Sequence, residues 1–255
     1  MILTLIEHDR GVISPSSLQL LTFTRILAAK DNIPHKTILI GHNVQQLALE
    51  LNTYNLDGIF LIQDKRMANY NAEILAEGVI QLVEEIKPII MVTAATDKGN
   101  EVLSHIGARL DLPMSANTSN IQLGDNNKLI RYRWGSSLLE ETIINSKPLL
   151  ISLALNLIKA EKVSPNNPEI ENFQAKFSDI SFRVQLIGRD EDSEEGKSLA
   201  SAPIVIGGGR GVGSAEGFSV LEELSACIDG AVGGSRVATN NGWISHARQV
   251  GLTGN

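Results

Sequence analysis

The sequence is poor in several residues that specialised sites require. It holds one cysteine, Cys227, in 255 residues. A single thiol makes no internal disulfide and supplies no cysteine-based zinc or iron–sulfur cage. The five histidines (His8, His35, His42, His105 and His246) stand apart, with no His-Glu-x-x-His or His-x-His pairing. Surface or core roles suit them better than metal ligation. Basic residues do not dominate: the formal net charge is −7. That balance lacks the basic footprint of a nucleic-acid binder. No stretch approaches the ~20 apolar residues of a membrane-spanning helix, so no stable membrane insertion is expected. The opening Met-Ile-Leu-Thr-Leu-Ile-Glu-His has no basic leader and too short an apolar run for a signal peptide. A cytoplasmic protein is expected, or an organelle protein whose transit peptide has been removed.

What is present is an ordinary globular composition, 43% hydrophobic and 20% charged, enough to bury a substantial core. The length allows one large domain or two modest ones. Short apolar runs alternate with amphipathic stretches. Strands are expected at 2–6, 37–40, 58–62 and 88–93, and helices at 16–30, 44–51, 72–86 and 98–110. Leu18, Leu21, Ile26 and Ala29 mark the inner face of the first helix, which Ser14-Pro15 introduces. Strand–helix alternation of this kind specifies an α/β fold with a parallel sheet. Further strands are expected at 120–124, 128–134, 149–153 and 182–187, with Asp125-Asn126-Asn127 as a turn. Residues 161–172, polar and with two prolines, read as a linker or surface loop. The charged run Asp190 to Lys197 reads as a solvated face, not a catalytic cluster.

A second parallel unit begins near Pro203. An apolar strand, Ile204-Val205-Ile206, runs into Gly207-Gly208-Gly209-Arg210-Gly211-Val212-Gly213. A helix is expected from Glu216 to Ile228, with Phe218, Leu221 and Leu224 facing inward. Glycines let backbone approach a ligand closely, and their N–H groups, with a following helix N-terminus, suit phosphate. Arg210 adds a fixed cation. The spacing is neither Gly-x-Gly-x-x-Gly nor a P-loop, so a phosphate site and a plain tight turn both remain open. A second strand, Ala231-Val232, leads into Gly233-Gly234-Ser235-Arg236. The two strand ends are expected side by side at the carboxyl edge of a sheet, where open α/β sheets bind ligands. A third cluster, Gln249-Val250-Gly251-Leu252-Thr253-Gly254, is a glycine loop with a hydroxyl.

These three clusters, in this order and spacing, resemble the electron transfer flavoprotein alpha family. That family shows Gly-Gly-Arg-Gly, then Gly-Ala-Ser-Arg followed by Asp-Ala-Gly-Trp, then Gln-Val-Gly-Gln-Thr-Gly. Here they stand as Gly208 to Gly211, Gly233 to Arg236 with Asn240 to Trp243, and Gln249 to Gly254. The opening Ile6-Glu7-His8-Asp9 is similar to the family's first strand.

The resemblance implies two α/β domains. Residues 1–188 would form a nucleotide-hydrolase-like domain that packs on a beta subunit. Residues 189–255 would form an FAD-binding Rossmann-like domain, incomplete because the chain ends at Asn255, before the family's Gly-Ile-Ser-Gly-Ala-Ile-Gln-His segment. It further implies a heterodimeric electron carrier, without substrate turnover of its own, moving electrons from flavin dehydrogenases (such as acyl-CoA dehydrogenases) to a quinone-linked or other acceptor. Carried over by motif, Arg210 and Gly211 would contact FAD, Ser235 would hydrogen-bond it near phosphate, and Arg236 would lie against the isoalloxazine. Gln249, Val250, Gly251, Leu252 and Thr253 would line the flavin, with the Thr253 hydroxyl near N5. A guanidinium ~4 Å from a developing negative charge contributes about 1 kcal/mol in water and about 4 kcal/mol at an effective dielectric of 20. Leu252 replaces the family's Gln, and with the early end it favours an alternative, a flavin-free docking scaffold for a beta-type subunit. A general nucleotide-binding module is a third reading.

Overall fold

The computed structural model describes residues 1–187, 199, 202 and 204–251. Close contacts divide the chain into two compact units, Met1–Ile187 and Gly188–Asn255. Both are α/β, with parallel pairing at the centre of each.

In the first unit the elements run β1 (Ile2–Leu5), β2 (His8–Asp9), β3 (Val12–Ile13), α1 (Pro15–Asp31), β4 (His35–Gly41), α2 (Gln45–Glu50), β5 (Gly58–Gln63), α3 (Ala72–Ile86), β6 (Ile90–Ala94) and α4 (Asp97–Leu110). They continue with β7 (Met114–Gln122), β8 (Lys128–Arg133), β9 (Leu138–Ile143), β10 (Leu149–Leu153) and β11 (Glu169–Asn172). Nine of these strands form one sheet, ordered β11-β5-β4-β1-β6-β10-β7-β8-β9. Every neighbouring pair from β11 to β7 is parallel, and β8 and β9 extend the sheet antiparallel.

Period-two alternation explains why both faces are covered. Leu3, Leu5, Ile38, Ile40, Phe60, Ile62, Met91 and Leu150 point into one core layer, against Ile74, Val79, Leu82 and Val83 of α3 and Val102, Leu103 and Ile106 of α4. The alternate residues Ile2, Ile90, Val92, Leu149 and Ile151 meet Leu20, Leu27 and Ala28 of α1 on the other face. Leu39, Ile59 and Leu61 meet Leu21 of α1 and Leu47 and Ala48 of α2 on that face. Each such side chain contributes about 1.5–3 kcal/mol when fully buried.

Local sequence sets the helix ends. Ser14, Asn71 and Thr96 cap α1, α3 and α4, each accepting a hydrogen bond from the N–H three residues on. Asn32, Lys87 and Asp111 end these helices in the left-handed conformation.

Several expectations need correction. The inner face of α1 is Leu20, Leu21, Thr24, Leu27 and Ala28; Ile26 is 49% exposed. The stretch read as a loop, 161–172, ends in β11, a parallel edge strand beside β5. Its residues Glu169, Ile170, Glu171 and Asn172 are all exposed, so no apolar alternation announced it. Strand β9 was likewise hidden, because its leucines are exposed and no face is buried. The strand expected at 182–187 is absent. A 3-10 turn, Asp179–Phe182, stands at its start. There Phe182 packs on the core and carries the Arg66 guanidinium 4.0 Å above its ring, and Arg183 grips Glu73 of α3. Side-chain docking, not strand pairing, fixes this segment.

The second unit contains β12 (Val205–Gly208), α5 (Ser219–Cys227), β13 (Ala231–Gly234) and α6 (Arg236–Asn240) among its described residues. Its core cluster is Phe218, Val232 and Ala238, with Val212, Leu221, Trp243 and Ile244 packed around it. Leu224, expected to face inward, is 50% exposed. Asp190 to Lys197 lie outside the described residues. Among the described residues, no helix is long and apolar enough to cross a membrane.

Candidate functional site

Open parallel sheets bind ligands at the carboxyl ends of their strands, where connections depart in opposite directions. In the first unit that point lies between β1 and β6, and the chain fills it with its own groups. Thr96 donates to Glu7 Oε1 at 2.5 Å. Gly99 brings the first turn of α4 so close that an added Cβ would stand 2.0 Å from the Ala94 carbonyl oxygen. Burial pushes the Glu7 carboxyl above the usual range, and the Thr96 hydrogen bond and the charge of Lys98 only partly oppose it. The cavity left beside Glu7, His8, Gly41 and Gly99 is about 60 Å³. That is room for a few waters.

The second unit treats its strand ends differently. β12 and β13 pair in parallel, with Gly207 opposite Gly233 and Gly208 opposite Gly234. The two glycine-rich strand ends therefore lie side by side, as expected from the sequence. Ser235 N–H donates to the Gly208 carbonyl at 2.8 Å, locking the second turn to the first. The glycines then divide by role. An added Cβ on Gly208 would strike the Phe218 ring at 2.6 Å, on Gly233 Val250 at 2.4 Å, and on Gly234 Ile244 at 2.3 Å. Those three serve close packing. By contrast, among the described residues a Cβ on Gly209 would meet only Ser235 Oγ, at 3.8 Å, and one on Gly211 or Gly213 would meet nothing within 4 Å. These are positions where another molecule can approach the backbone.

The predicted residues fall around this opening. Arg210 and Gly211 are exposed in the 3-10 turn Arg210–Val212, directly after β12. Ser235 is half-buried, and its Oγ accepts a long hydrogen bond of 3.4 Å from Ala238 N–H, leaving its own proton available to a ligand. Arg236 is exposed at the start of α6. The third cluster returns to the same strand: Gln249 bridges Gly234, and Val250 N–H donates to the Gly234 carbonyl at 2.9 Å. Gly251 follows at φ +116°, a conformation open to glycine and strained for other residues. Leu252 and Thr253 lie outside the described residues.

One expected feature is not there. No helix N-terminus follows the glycine turn directly: the 3-10 turns Arg210–Val212 and Glu216–Phe218 precede α5. The second of these turns carries the exposed carboxylate of Glu216. The glycine turn's own N–H groups and the arginines must supply the positive field instead. Two residues missed by sequence reasoning also shape the site. Thr239, buried in α6, donates to Gln249 Oε1 at 2.9 Å, and Arg248 donates through Nη1 to the Val232 carbonyl at 2.9 Å. The signal for Thr239 was a polar residue on the inner side of a short helix, visible only once α6 is placed.

A diphosphate-bearing cofactor fits this opening. The glycine backbone is accessible, Arg210 and Arg236 are exposed cations, and Ser235 holds a hydroxyl between the two turns. Comparison with known proteins agrees. Residues 2–178 match the electron transfer flavoprotein domain, and residues 198–255 match the electron transfer flavoprotein FAD-binding domain. The electron transfer flavoprotein subunit alpha of Thermoanaerobacterium thermosaccharolyticum is 27% identical over 252 residues, covering 97% of this chain and 76% of the relative. The protein FixB of Clostridium saccharobutylicum is 27% identical over 252 residues, covering 97% and 75%. The LctC subunit of the lactate dehydrogenase (NAD(+),ferredoxin) of Acetobacterium woodii is 23% identical over 253 residues, covering 98% and 60%. The chain thus belongs to the electron transfer flavoprotein family as an alpha-type subunit, with FAD as the cofactor of its second unit.

Proposed function

We propose that this chain carries electrons as the FAD-bearing half of a heterodimer with a beta-type subunit. The observation that supports it most is the parallel register of β12 and β13, which sets Arg210 and the Ser235-Arg236 pair on adjacent strand ends around accessible glycines. FAD supplies reversible one- and two-electron chemistry when bound; the protein supplies position and charge. In this reading Arg210 and Gly211 meet the cofactor, and Ser235 donates to a phosphate oxygen. Arg236 sets the field at the isoalloxazine, and residues 249–253 line it. Because Arg236 is exposed, water screens its charge, and its influence lies toward the lower end of the ~1–4 kcal/mol range.

We further propose that residues 1–188 dock on the beta-type subunit and that residues 189–255 form the cofactor domain. The work of the complex is to accept electrons from flavin dehydrogenases in the cytoplasm and pass them to a quinone-linked or other redox acceptor, with no substrate turnover by this chain. A lactate dehydrogenase subunit among its relatives fits service beside such enzymes.

The test is a visible absorption spectrum of the chain co-expressed with a beta-type subunit, before and after heat release of any chromophore. Flavin bands near one equivalent per heterodimer are expected. A colourless, well-folded complex would overturn the reading and leave a flavin-free docking scaffold in front. Arg236→Ala is expected to retain flavin and lower its midpoint potential in a redox titration.

A further inference from the structure

The third glycine cluster leaves the sheet at a single place. Gln249 bridges Gly234, Val250 N–H is held by the Gly234 carbonyl, and at Gly251 the backbone turns to φ +116°. The packing beneath is tight on one side, where Gly233 admits the Val250 side chain only because it lacks a Cβ. On the other side stands α6, and there the Thr239 hydroxyl makes a connection. Thr239 is 2% exposed, and its Oγ1 lies 2.9 Å from the Gln249 side-chain amide oxygen and 3.1 Å from the Arg236 carbonyl.

A hydroxyl has one proton and two lone pairs. Either the two acceptors share that proton, or the Gln249 amide turns half a revolution and donates to Thr239 while Thr239 donates to Arg236. In both arrangements one buried side chain joins the segment that carries Arg236 to the segment that carries Val250 and Gly251. These are the two segments assigned to the flavin.

We propose that Thr239 is a positioning residue for the cofactor loop: through Gln249 it fixes where Val250 and Gly251 face, without touching the cofactor itself. This inference rests on the reading of 249–253 as the flavin loop, but the tether can be tested without flavin. The full chain, co-expressed with its beta-type subunit, is compared with Thr239→Val, Thr239→Ser, Gln249→Met and the double variant Thr239→Val/Gln249→Met.

The first readout is amide hydrogen exchange at Val250 and Gly251 in the FAD-free complex. The second is FAD affinity by titration. Thr239→Val keeps the shape and loses the hydroxyl, so exchange at Val250 is expected to quicken about tenfold, the size of one buried hydrogen bond. FAD affinity is expected to fall by a similar factor. Thr239→Ser should stay within about twofold of the parent, since the donor remains. Gln249→Met cuts the same tether from its other end, and serves if Thr239→Val does not fold. The double variant should be no worse than the stronger single variant, because both remove the Thr239–Gln249 bond.

Unchanged exchange in Thr239→Val, or fully additive effects in the double variant, would overturn the inference. A parent complex that binds no FAD but shows the expected exchange pattern would sink the flavin reading and leave the tether standing.

Discussion

The two units follow the same grammar of parallel strands and carboxyl-edge loops, yet they use the edge in opposite ways. The first unit closes it: Glu7, Thr96 and the tightly packed Gly99 occupy the crossover between β1 and β6. The second is looser: among the described residues a Cβ on Gly209 would touch only Ser235 Oγ, one on Gly211 nothing within 4 Å, and Arg210 and Arg236 are exposed beside them. Core size differs in the same sense. Leu3, Ile38, Leu39, Leu150 and many others are fully buried in the first unit, whereas among the described residues of the second unit the core cluster is Phe218, Val232 and Ala238. A filled crevice with a large core makes a stable body.

The sharpest way to break this comparison is to remove one large side chain from each core. Phe218→Ala is expected to cost ~3–5 kcal/mol. At ~0.1 kcal/mol per residue, the 68 residues of that unit in this chain hold roughly 7 kcal/mol, so the second unit loses about half or more of its stability. Ile38→Ala loses ~2–5 kcal/mol from a far larger core and should leave the first unit folded. Calorimetry and limited proteolysis report both: the second unit's transition falls steeply in Phe218→Ala, and the first unit's transition shifts down by a smaller fraction of its stability in Ile38→Ala. Loss of both transitions together in Phe218→Ala would mean that the units are not energetically separate.

Acid should act on the first unit through His35. Burial lowers its pKa from 6.5 to about 4, with the charge of Arg25 adding to the effect and that of Asp57 opposing it. Its Nε2 hydrogen-bonds the Thr4 and Thr24 hydroxyls, 3.0 and 2.9 Å away. The unfolded chain takes up the proton first as pH falls. Stability is therefore intact above pH 6.5 and declines as pH drops toward about 4. The loss across that window is ~3 kcal/mol, at 1.36 kcal/mol per pKa unit. Denaturant unfolding of the first unit at several pH values checks it, and His35→Gln should flatten the slope.

Ligand should act only on the second unit. FAD at a hundredfold its dissociation constant is expected to stabilise that unit by about 2.7 kcal/mol and leave the first unit's transition unmoved. Equal shifts in both transitions would contradict separate roles. The smallest effect is at a helix cap. Ser14→Ala removes the acceptor for Ser17 N–H and should cost the first unit ~1 kcal/mol, seen as a modest shift in denaturant midpoint.

Much of this architecture was legible in the residues. The helices over 72–86 and 98–110 and the strands over 58–62 and 149–153 follow from hydrophobic period, and the observed elements match them within a residue. Such segments bury one stripe or both faces, so their pattern is strong. β9, β11 and the segment after Asp179 were not legible, because their backbone conformation is set by a neighbouring strand or a docked side chain. At the site, Arg210 and Arg236 could be picked out as cations on glycine turns, whereas Ser235 entered only through the family resemblance. Thr239 could be found by neither route, since its partner Gln249 is brought to it only by folding.

By itself, then, the sequence determined the alternation of strands and helices, the position of three glycine clusters and the charge placed on two of them. Those depend on interactions between near neighbours along the chain. Only the tertiary structure decided that Gly207 and Gly208 stand beside Gly233 and Gly234, that the first unit's crossover is filled, and that one threonine ties two segments of the site together. Each of these is a contact between distant residues, set by strand register and close packing, which local sequence does not encode.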